Sequence, residues 1–378
     1  MRVKEKVKLK TLGDIFIGLT YRPEDVANEG TIVLRSSNIQ DGRLNFTDVV
    51  KVTCTVRENL FVKPYDILMC SRNGSAKLVG KCTLLPKLDE EMTFGAFMTI
   101  IRTQHNKYLQ HFFESNAFRQ QIKGSATTTI NQITKRMLDE IIVPIFSEED
   151  EKNIVSILDN IDRLVYLRKQ QLSKLDELVK ARFVELFGDK GYPEDTLLNL
   201  CNIIDYRGKT PEKVEYGLPF ITAKNVRMHQ MNLEPREYIS KETYYKVMVR
   251  GFPKEGDVVF TTEAPLGNVC RIPHFDTEFY VGQRIVTMQT EKLEPIYLEY
   301  ALSSDDFKTK YMGKSSGSTV TGIRVRLLEQ LTIPVPPTEL QKRFATFVEQ
   351  TDKSKLAVQK SLEELETLKK SLMQQYFG

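Results

Sequence analysis

Few residues of this 378-residue chain stand where a reaction would need them. A phosphate-cradling loop requires Gly-x4-Gly-Lys-Ser/Thr. The nearest approach, GSAKLVGKC from Gly74 to Cys82, has one residue too many and ends in a cysteine. No Asn/Asp-Pro-Pro-aromatic tetrapeptide is present to hold a flipped base for N-methylation, and no Gly-rich loop after a strand offers a methyl-donor site. The four histidines, His105, His111, His229 and His274, have no metal-ligand spacing; Asp276 lies near His274, and that pair reads as two solvated side chains. Carboxylate pairs such as Asp305-Asp306 and Glu148-Glu149 fall on expected helical or linker surface, where a solvated face explains them better than acid-base catalysis. Five cysteines, Cys54, Cys70, Cys82, Cys201 and Cys270, are odd in number and form no Cys-x-x-Cys. That argues against a disulfide framework and a zinc site, and reduced thiols are expected. The chain is read as non-catalytic, with no metal and no cofactor of its own.

The chain's arrangement is more informative. FVELFGDKGY spans Phe183 to Tyr192, and the sequence closes on MQQYFG, Met373 to Gly378. A shift of 190 places Phe187-Gly188 on Phe377-Gly378, Pro144 on Pro334, Leu138 on Leu328, Ile133 on Ile323, Thr129 on Thr319 and Glu149-Lys152 on Glu339-Lys342. With small gaps the register continues upstream, YLQHFFESNAFR against YLEYALSSDDFK, KPYDILMC against KEGDVVFT, LRSSNI against ITAKNV, and LGDIFIGLTYRP against LCNIIDYRGKTP. Two copies of about 188 residues account for the chain, a period far longer than that of solenoid repeats. The copy ends agree best, and the interiors share little beyond apolar spacing and a few Gly, Pro and Asn. One frame carries two different faces.

Composition, at 28% charged and 41% hydrophobic, is that of a soluble chain long enough for two domain-sized cores. No apolar run approaches 18 residues, and MRVKEKVKLK lacks the apolar stretch of a signal peptide, so a cytoplasmic location is expected. The net charge of +4 is compatible with nucleic acid without proving it. Short apolar runs between turn residues, such as TIVLRSSNI, FVKPYDILMC and TFGAFMTIIRT, read as strands. One helix is expected over Lys107 to Lys123, and PIYLEYALSSDDFKTKYM repeats it in the second copy. Each copy is an α+β globule of about 145 residues, residues 1–146 and 189–335, followed by a long helix, residues 147–188 and 336–378.

Steps of alternately four and three pick out Ile154, Leu158, Ile161, Val165, Arg168, Leu172, Leu175, Val179, Arg182 and Leu186, of which eight are apolar. The same steps 190 residues later give Phe344, Val348, Thr351, Lys355, Val358, Leu362, Leu365, Lys369, Leu372 and Tyr376, with seven apolar or aromatic. A sustained 3.5-residue period is that of a coiled coil. Each helix of about 40 residues would be about 60 Å long at 1.5 Å per residue. Two such stripes in one chain most economically bury each other, although each helix packing on its own globule is the alternative. Copies related by a pseudo-two-fold axis would place the helices antiparallel and the globules at the ends of a rod of fixed length. Such a caliper suits a ligand with two spaced sites, and duplex DNA, repeating every ~34 Å, is the commonest.

IPVPPTELQKRFATFVEQTDKSKLAVQKSLEELETLKKSLMQQYFG resembles the carboxy-terminal helical region of specificity (S) subunits of Type I restriction-modification systems, and VPIFSEEDEKNIVSILDNIDRLVYLRKQQL resembles their central region. A Gly-x-Thr-Pro-like opening stands at Gly208-Lys209-Thr210-Pro211. The first copy departs from it at Gly18-Leu19-Thr20-Tyr21-Arg22-Pro23, and Pro336-Pro337 has no counterpart before the first helix. The resemblance covers nearly the whole chain. It implies two target recognition domains that each read half of a split, asymmetric DNA target. It further implies helices that set the spacer and dock methyltransferase subunits, two in number, with S-adenosylmethionine bound there, and restriction motor-nuclease subunits for cleavage.

DNA contacts are then expected from polar loops, phosphates positioning the protein and base edges specifying sequence. Three matched loops stand out: RSSN with TAKN, CSRNGSAK with TTEAPLGN, and KGSATTTINQI with KSSGSTVTGIRV. The candidates in the first copy are Arg35, Ser36, Ser37, Asn38, Arg72, Asn73, Ser75, Lys77, Lys123, Thr127, Thr128 and Asn131. In the second they are Thr222, Lys224, Asn225, Arg227, Thr262, Glu263, Arg284, Lys314, Ser318, Thr319 and Arg324. Small hydroxyl residues and glycine let a backbone approach phosphate, and the cations neutralise it. Ordinary turns need the same residue types, which leaves that alternative open. Arg72 against Glu263 at equivalent positions implies different half-sites, Arg favouring guanine and carboxylate the cytosine amino group. The rival for the whole chain is a coiled-coil scaffold that binds no nucleic acid.

Overall fold

The structure, a computed structural model, describes residues 3–40, 42–125, 131–206, 208, 211–316 and 321–378. It divides into two compact units, Met1–Gln170 with Gln359–Gly378, and Gln171–Val358. Each unit contains one α+β globule and a stretch of both long helices.

Uninterrupted apolar runs make strands buried on both faces. In the first unit ILMC does this: Ile67–Cys70 is wholly buried within an antiparallel sheet ordered Gly13–Ile17, Met98–Thr103, Ile67–Cys70, Cys82–Leu84. A second sheet runs Met92–Phe94, Thr31–Leu34, Val50–Val52, Val26–Ala27, with its first pair parallel. A ribbon of Glu5–Lys8 against Ile142–Ile145 leads into the first long helix. The second unit repeats the plan. Its main sheet is Asn202–Asp205, Ile285–Gln289, Val258–Thr261, Val269–Arg271; its second sheet is Tyr280–Val281, Leu218–Ile221, Tyr238–Ile239, Lys213–Val214; its ribbon is Glu194–Thr196 with Thr332–Pro334.

The single helix expected over Lys107 to Lys123 is two, Asn106–Glu114 and Asn116–Ser125. Ser115 makes the break. Its backbone is extended, and its hydroxyl accepts from the Phe118 N–H at 3.2 Å, so it caps the second helix instead of continuing the first. Ser304 does the same between Pro295–Ser303 and Asp305–Met312, accepting from Phe307.

The long helices are Glu148–Phe187 and Thr338–Phe377, 40 residues each. None of the stripe positions beginning at Ile154 or at Phe344 is exposed. In the first unit Lys169 meets Glu366 at 3.4 Å and Asp162 meets Lys369 at 2.5 Å. Ascending numbers on one helix face descending numbers on the other, so the stretches are antiparallel. The second unit follows the same rule, with Asp176 to Lys355 at 2.7 Å and the Phe183 and Phe344 rings 5.5 Å apart. The lysines interrupting the apolar stripe are thus half-buried and paired. Burial works against the charge of Lys369, but Glu114 and Asp162 more than offset it and hold its pKa above the ordinary value.

Each helix ends in an aromatic seat. In the first unit Phe377 lies 5.4 Å from Tyr108 and 5.7 Å from Phe112, ring centre to ring centre. In the second, Phe187 lies 4.8 Å from Tyr297 and 5.5 Å from Phe344. Tyr108 donates to the Pro144 carbonyl, and Tyr297 donates to that of Pro334 at 2.7 Å. Burial pushes the thiols of Cys201 and Cys270 up to about 12, and every cysteine is free. Among the described residues no helix is long and apolar enough to cross a membrane.

Helix Asn106–Glu114 is also tied to the long helices by charge. His111 bonds Asp159 at 2.9 Å and Lys107 bonds it at 2.8 Å. The His111 bond first, then Lys107, holds the Asp159 carboxyl at about 2. A carboxylate depressed in the folded state stabilises above its unfolded value, here near the ordinary 3.8, and loses that contribution as pH falls through about 2. Asp159→Asn should therefore destabilise the protein above about pH 4, the gap closing toward pH 2 in denaturant titrations across that window. Phe377→Ala should cost about 3–5 kcal/mol in chemical unfolding, as expected for emptying a buried aromatic site.

Candidate nucleic-acid interface

Strand ends of the two sheets bring the matched loops together within each unit. In the first unit Arg35 to Asn38 follows strand Thr31–Leu34, and Cys70 to Lys77 follows Ile67–Cys70. The Asn73 amide donates to the Ser36 hydroxyl at 3.2 Å, joining these loops. Asn131 joins the third: its amide donates to the Gly74 carbonyl at 2.8 Å and its own carbonyl accepts from the Asn73 N–H at 3.2 Å. The Ile133 N–H reaches Ser71 O at 2.7 Å, and Arg72 pairs with Gln132 as an isolated bridge. Arg72, Ser75 and Lys77 are exposed on this cluster, Lys123 is exposed near the end of helix Asn116–Ser125, and Arg35 is tied to Asp48 at 2.8 Å.

The second unit arranges its loops by the same bonds. Ile323 N–H reaches Thr262 O at 2.9 Å, and Glu263 forms the isolated bridge with Gly322. The Asn268 amide donates to Val226 O at 2.9 Å, linking the second loop to the hairpin after the first. Lys224, Arg227, Lys314 and Arg324 are exposed, and Arg284 meets Glu263 at 3.1 Å. Thr127, Thr128, Ser318 and Thr319, and Lys209 and Thr210 of the Gly-x-Thr-Pro-like opening, lie outside the described residues.

Three candidates need correction. Asn38 is 1% exposed and Asn225 is 2% exposed, and their side chains are spent internally. Asn38 Oδ1 accepts from Arg35 N at 2.8 Å, while Nδ2 donates to the carbonyls of Asn45 and Asp48, each at 2.9 Å. Asn225 repeats the brace, accepting from Thr222 N and donating to the carbonyls of Asn232 and Pro235. Both asparagines hold a loop and have no edge left for a base. Thr262 is 1% exposed, buried under the bridge to the third loop.

One residue in this cluster was not among the candidates drawn from the sequence. Phe97 is 57% exposed at the turn Gly95 to Met98, and the Arg72 guanidinium lies 5.2 Å above its ring. Its counterpart is Arg284, on a turn that needs Gly282, because a Cβ there would come within 2.4 Å of the Phe220 ring. Aligning Gly95-Ala96-Phe97 with Gly282-Gln283-Arg284 would have exposed the equivalence.

Each of the four histidines is paired with a carboxylate. His105 faces Glu151, His229 faces Glu299 and His274 faces Glu255, each at 2.8 Å, as His111 faces Asp159. Donor atoms of His111, Glu114 and Asp162 do lie within 4.8 Å of one another, a grouping invisible in sequence spacing. The Lys369 ammonium bonds both carboxylates, so the chain supplies that cation itself.

Two copies of one loop-bearing frame have known counterparts. The family described as the Type I restriction modification DNA specificity domain matches residues 4–177 and 195–367. The chain belongs to that family. It is 31% identical over 181 residues to the Type I restriction enzyme StySPI specificity subunit of Salmonella potsdam, a match covering 46% of this chain and 39% of that protein. The chain thus spans about two fifths of that relative's length. With the Type I restriction enzyme EcoKI specificity subunit of Escherichia coli it shares 24% identity, over 90% of this chain and 80% of that one. The fold matches the Type I restriction-modification S subunit from M. genitalium, with a TM-score of 0.58 at 15% identity over 99% of this chain and 96% of that one. A chain solved in work on assembly and conformational transition of the type I R-M system gives 0.56 at 19% identity, covering 99% and 97%.

Asn38→Ala and Asn225→Ala should each lower unfolding stability by about 1–3 kcal/mol, because each leaves loop backbone groups unpaired. Equal stability of variant and wild type in denaturant would return these residues to the list of groups free to contact DNA.

Proposed function

We propose that the chain is the sequence-specific DNA-recognition subunit of a Type I restriction-modification complex. Residues 1–146 and 189–335 act as the two target recognition domains, each reading half of a bipartite, asymmetric target. Residues 147–188 and 336–378 set the spacer and dock methyltransferase subunits, with restriction motor-nuclease subunits joining for cleavage. The chain itself is non-catalytic; S-adenosylmethionine is held by the methyltransferase partner, and the complex works in the cytoplasm.

The observation that carries this reading is the tandem of loop clusters. The same strand ends and the same asparagine braces position them, yet equivalent places hold different groups, the exposed Arg72 in one and the half-buried Glu263 in the other. Shared braces beneath unlike side chains are what the reading of two different half-sites would require. Guanidinium donors suit guanine O6 and N7, and a carboxylate suits the cytosine amino group. Lys77, Lys123, Lys224, Lys314 and Arg324, which lie within or at the ends of these loops in sequence, are exposed cations of the kind that phosphate contacts use.

The test is modification-sensitive long-read sequencing of DNA from cells expressing this chain with its methyltransferase subunit, beside cells expressing that subunit alone. A split, asymmetric methylated motif is expected only with the chain present. No new motif with a verified, active methyltransferase would leave a scaffold role instead. One heptad inserted within Ile154 to Leu186 should change the spacer or abolish methylation while leaving half-site identity alone; altered half-sites with an unchanged spacer would overturn the spacing role.

A further inference from the structure

We infer that Phe97 with Arg72 in the first unit, and Arg284 with Glu263 in the second, are the paired side chains that decide which bases the two half-sites accept. The inference rests on the recognition role proposed above and names the residues that make the halves differ.

The two pairs occupy one position in the frame. Gly95 N–H reaches Leu34 O at 3.0 Å in the first unit, and Gly282 N–H reaches Ile221 O at 2.8 Å in the second, so the two turns hang from equivalent strands. Two residues on, the carbonyl is locked to the second loop. Phe97 O accepts from Ser71 N at 2.9 Å, Arg72 N at 3.1 Å and the Ser71 hydroxyl at 3.0 Å, and Arg284 O accepts from Thr262 N at 2.9 Å. With the backbone fixed from inside, the side chain projects outward. Arg284 does so with φ +72, a left-handed conformation that a non-glycine residue adopts only when its surroundings hold it there.

Exposure alone would mean little, since several large apolar side chains of this chain are exposed. Phe97 differs because it stands among polar loops with a guanidinium over its face. Cation–π attraction sets the exposed Arg72 guanidinium beside the ring. The pair thereby presents a flat apolar surface, fit for a thymine methyl or an unstacked base, beside donors fit for guanine acceptors. The second unit exchanges both members. Arg284 bonds Glu263 through Nε, leaving its terminal nitrogens outside that bond, and the carboxylate offers an acceptor to a cytosine or adenine amino group. One place in the frame thus shows apolar surface plus donors, and its equivalent shows donors plus acceptor.

The experiment is methylome sequencing of the full complex carrying exchanged pairs. Arg72→Glu with Phe97→Arg should alter one or two base pairs of one half-site, with the other half and the spacer retained; Glu263→Arg with Arg284→Phe should alter the opposite half. Both halves unchanged at wild-type methylation levels would overturn the inference. Should an exchanged chain fail to fold, Phe97→Ala supplies the decision, because it removes an exposed ring. Its thermal midpoint should match the wild type, while discrimination at one base pair, measured as methylation rate on substituted duplexes, should relax on the order of tenfold to a hundredfold. Unchanged discrimination refutes the proposal. A wild-type complex that produces no split motif refutes the recognition role itself, a result separate from any variant.

Discussion

Phe187 and Phe377 each close a 40-residue helix, and neither ring can be left in water without forfeiting about 1.5–3 kcal/mol of burial. Each is taken into the core of a globule, beside Tyr297 in one unit and Tyr108 in the other. Both tyrosines are tethered by their hydroxyls to a proline carbonyl on the ribbon that leads to a long helix. The seat therefore fixes the rotation of the helix about its axis. Once that rotation is set, Ile154, Leu158, Phe344 and Val348 must face inward, and the seam follows heptad by heptad. Loops at the strand ends inherit their positions from the same cores.

On this shared frame the polar interior has been built twice in different ways. Asp66 is buried and holds Arg102 through two bonds, 2.8 and 2.7 Å long. Its counterpart Asp257 faces Gln289 at 2.7 Å. Burial raises the carboxyl of Asp257, while the bonds from the Lys254 N–H and Gln289 and the charge of Lys254 only partly restrain it. Histidines likewise meet different partners: His111 reaches Asp159 on a long helix, whereas His229 meets Glu299, which also binds Arg271 at 2.6 Å. Each core supplies different polar partners to its own buried carboxylate, so the two copies share a fold without sharing these contacts.

How much of this could be read from the residues varies with the range of the interaction involved. The long helices were legible to within two residues at each end, 147–188 and 336–378 against Glu148–Phe187 and Thr338–Phe377, because a 3.5-residue period sustained over five heptads is a strong helical signal. The α+β plan was legible from apolar runs such as ILMC. The break at Ser115 was not, since a serine inside an apolar pattern declares itself a cap only when its backbone is extended. At the candidate interface, loop positions were legible and side-chain roles less so. Asn38 and Asn225 looked like reading residues because asparagine serves both a base edge and a turn, and only burial separates the two uses. Phe97 was invisible because nothing in sequence distinguishes an aromatic that projects from one that packs.

The asparagine braces carry a consequence for how such a chain can change. Asn38 grips its loop through the backbone of residues 35, 45 and 48, and Asn225 grips residues 222, 232 and 235 in the same way. A grip on main-chain atoms is indifferent to the side chains those residues carry. Substitutions at outward-facing places therefore meet almost no penalty in folding, and a lineage can sample new loop side chains one residue at a time while the scaffold beneath stays intact. Variation and stability are thus stored in separate atoms of the same loop.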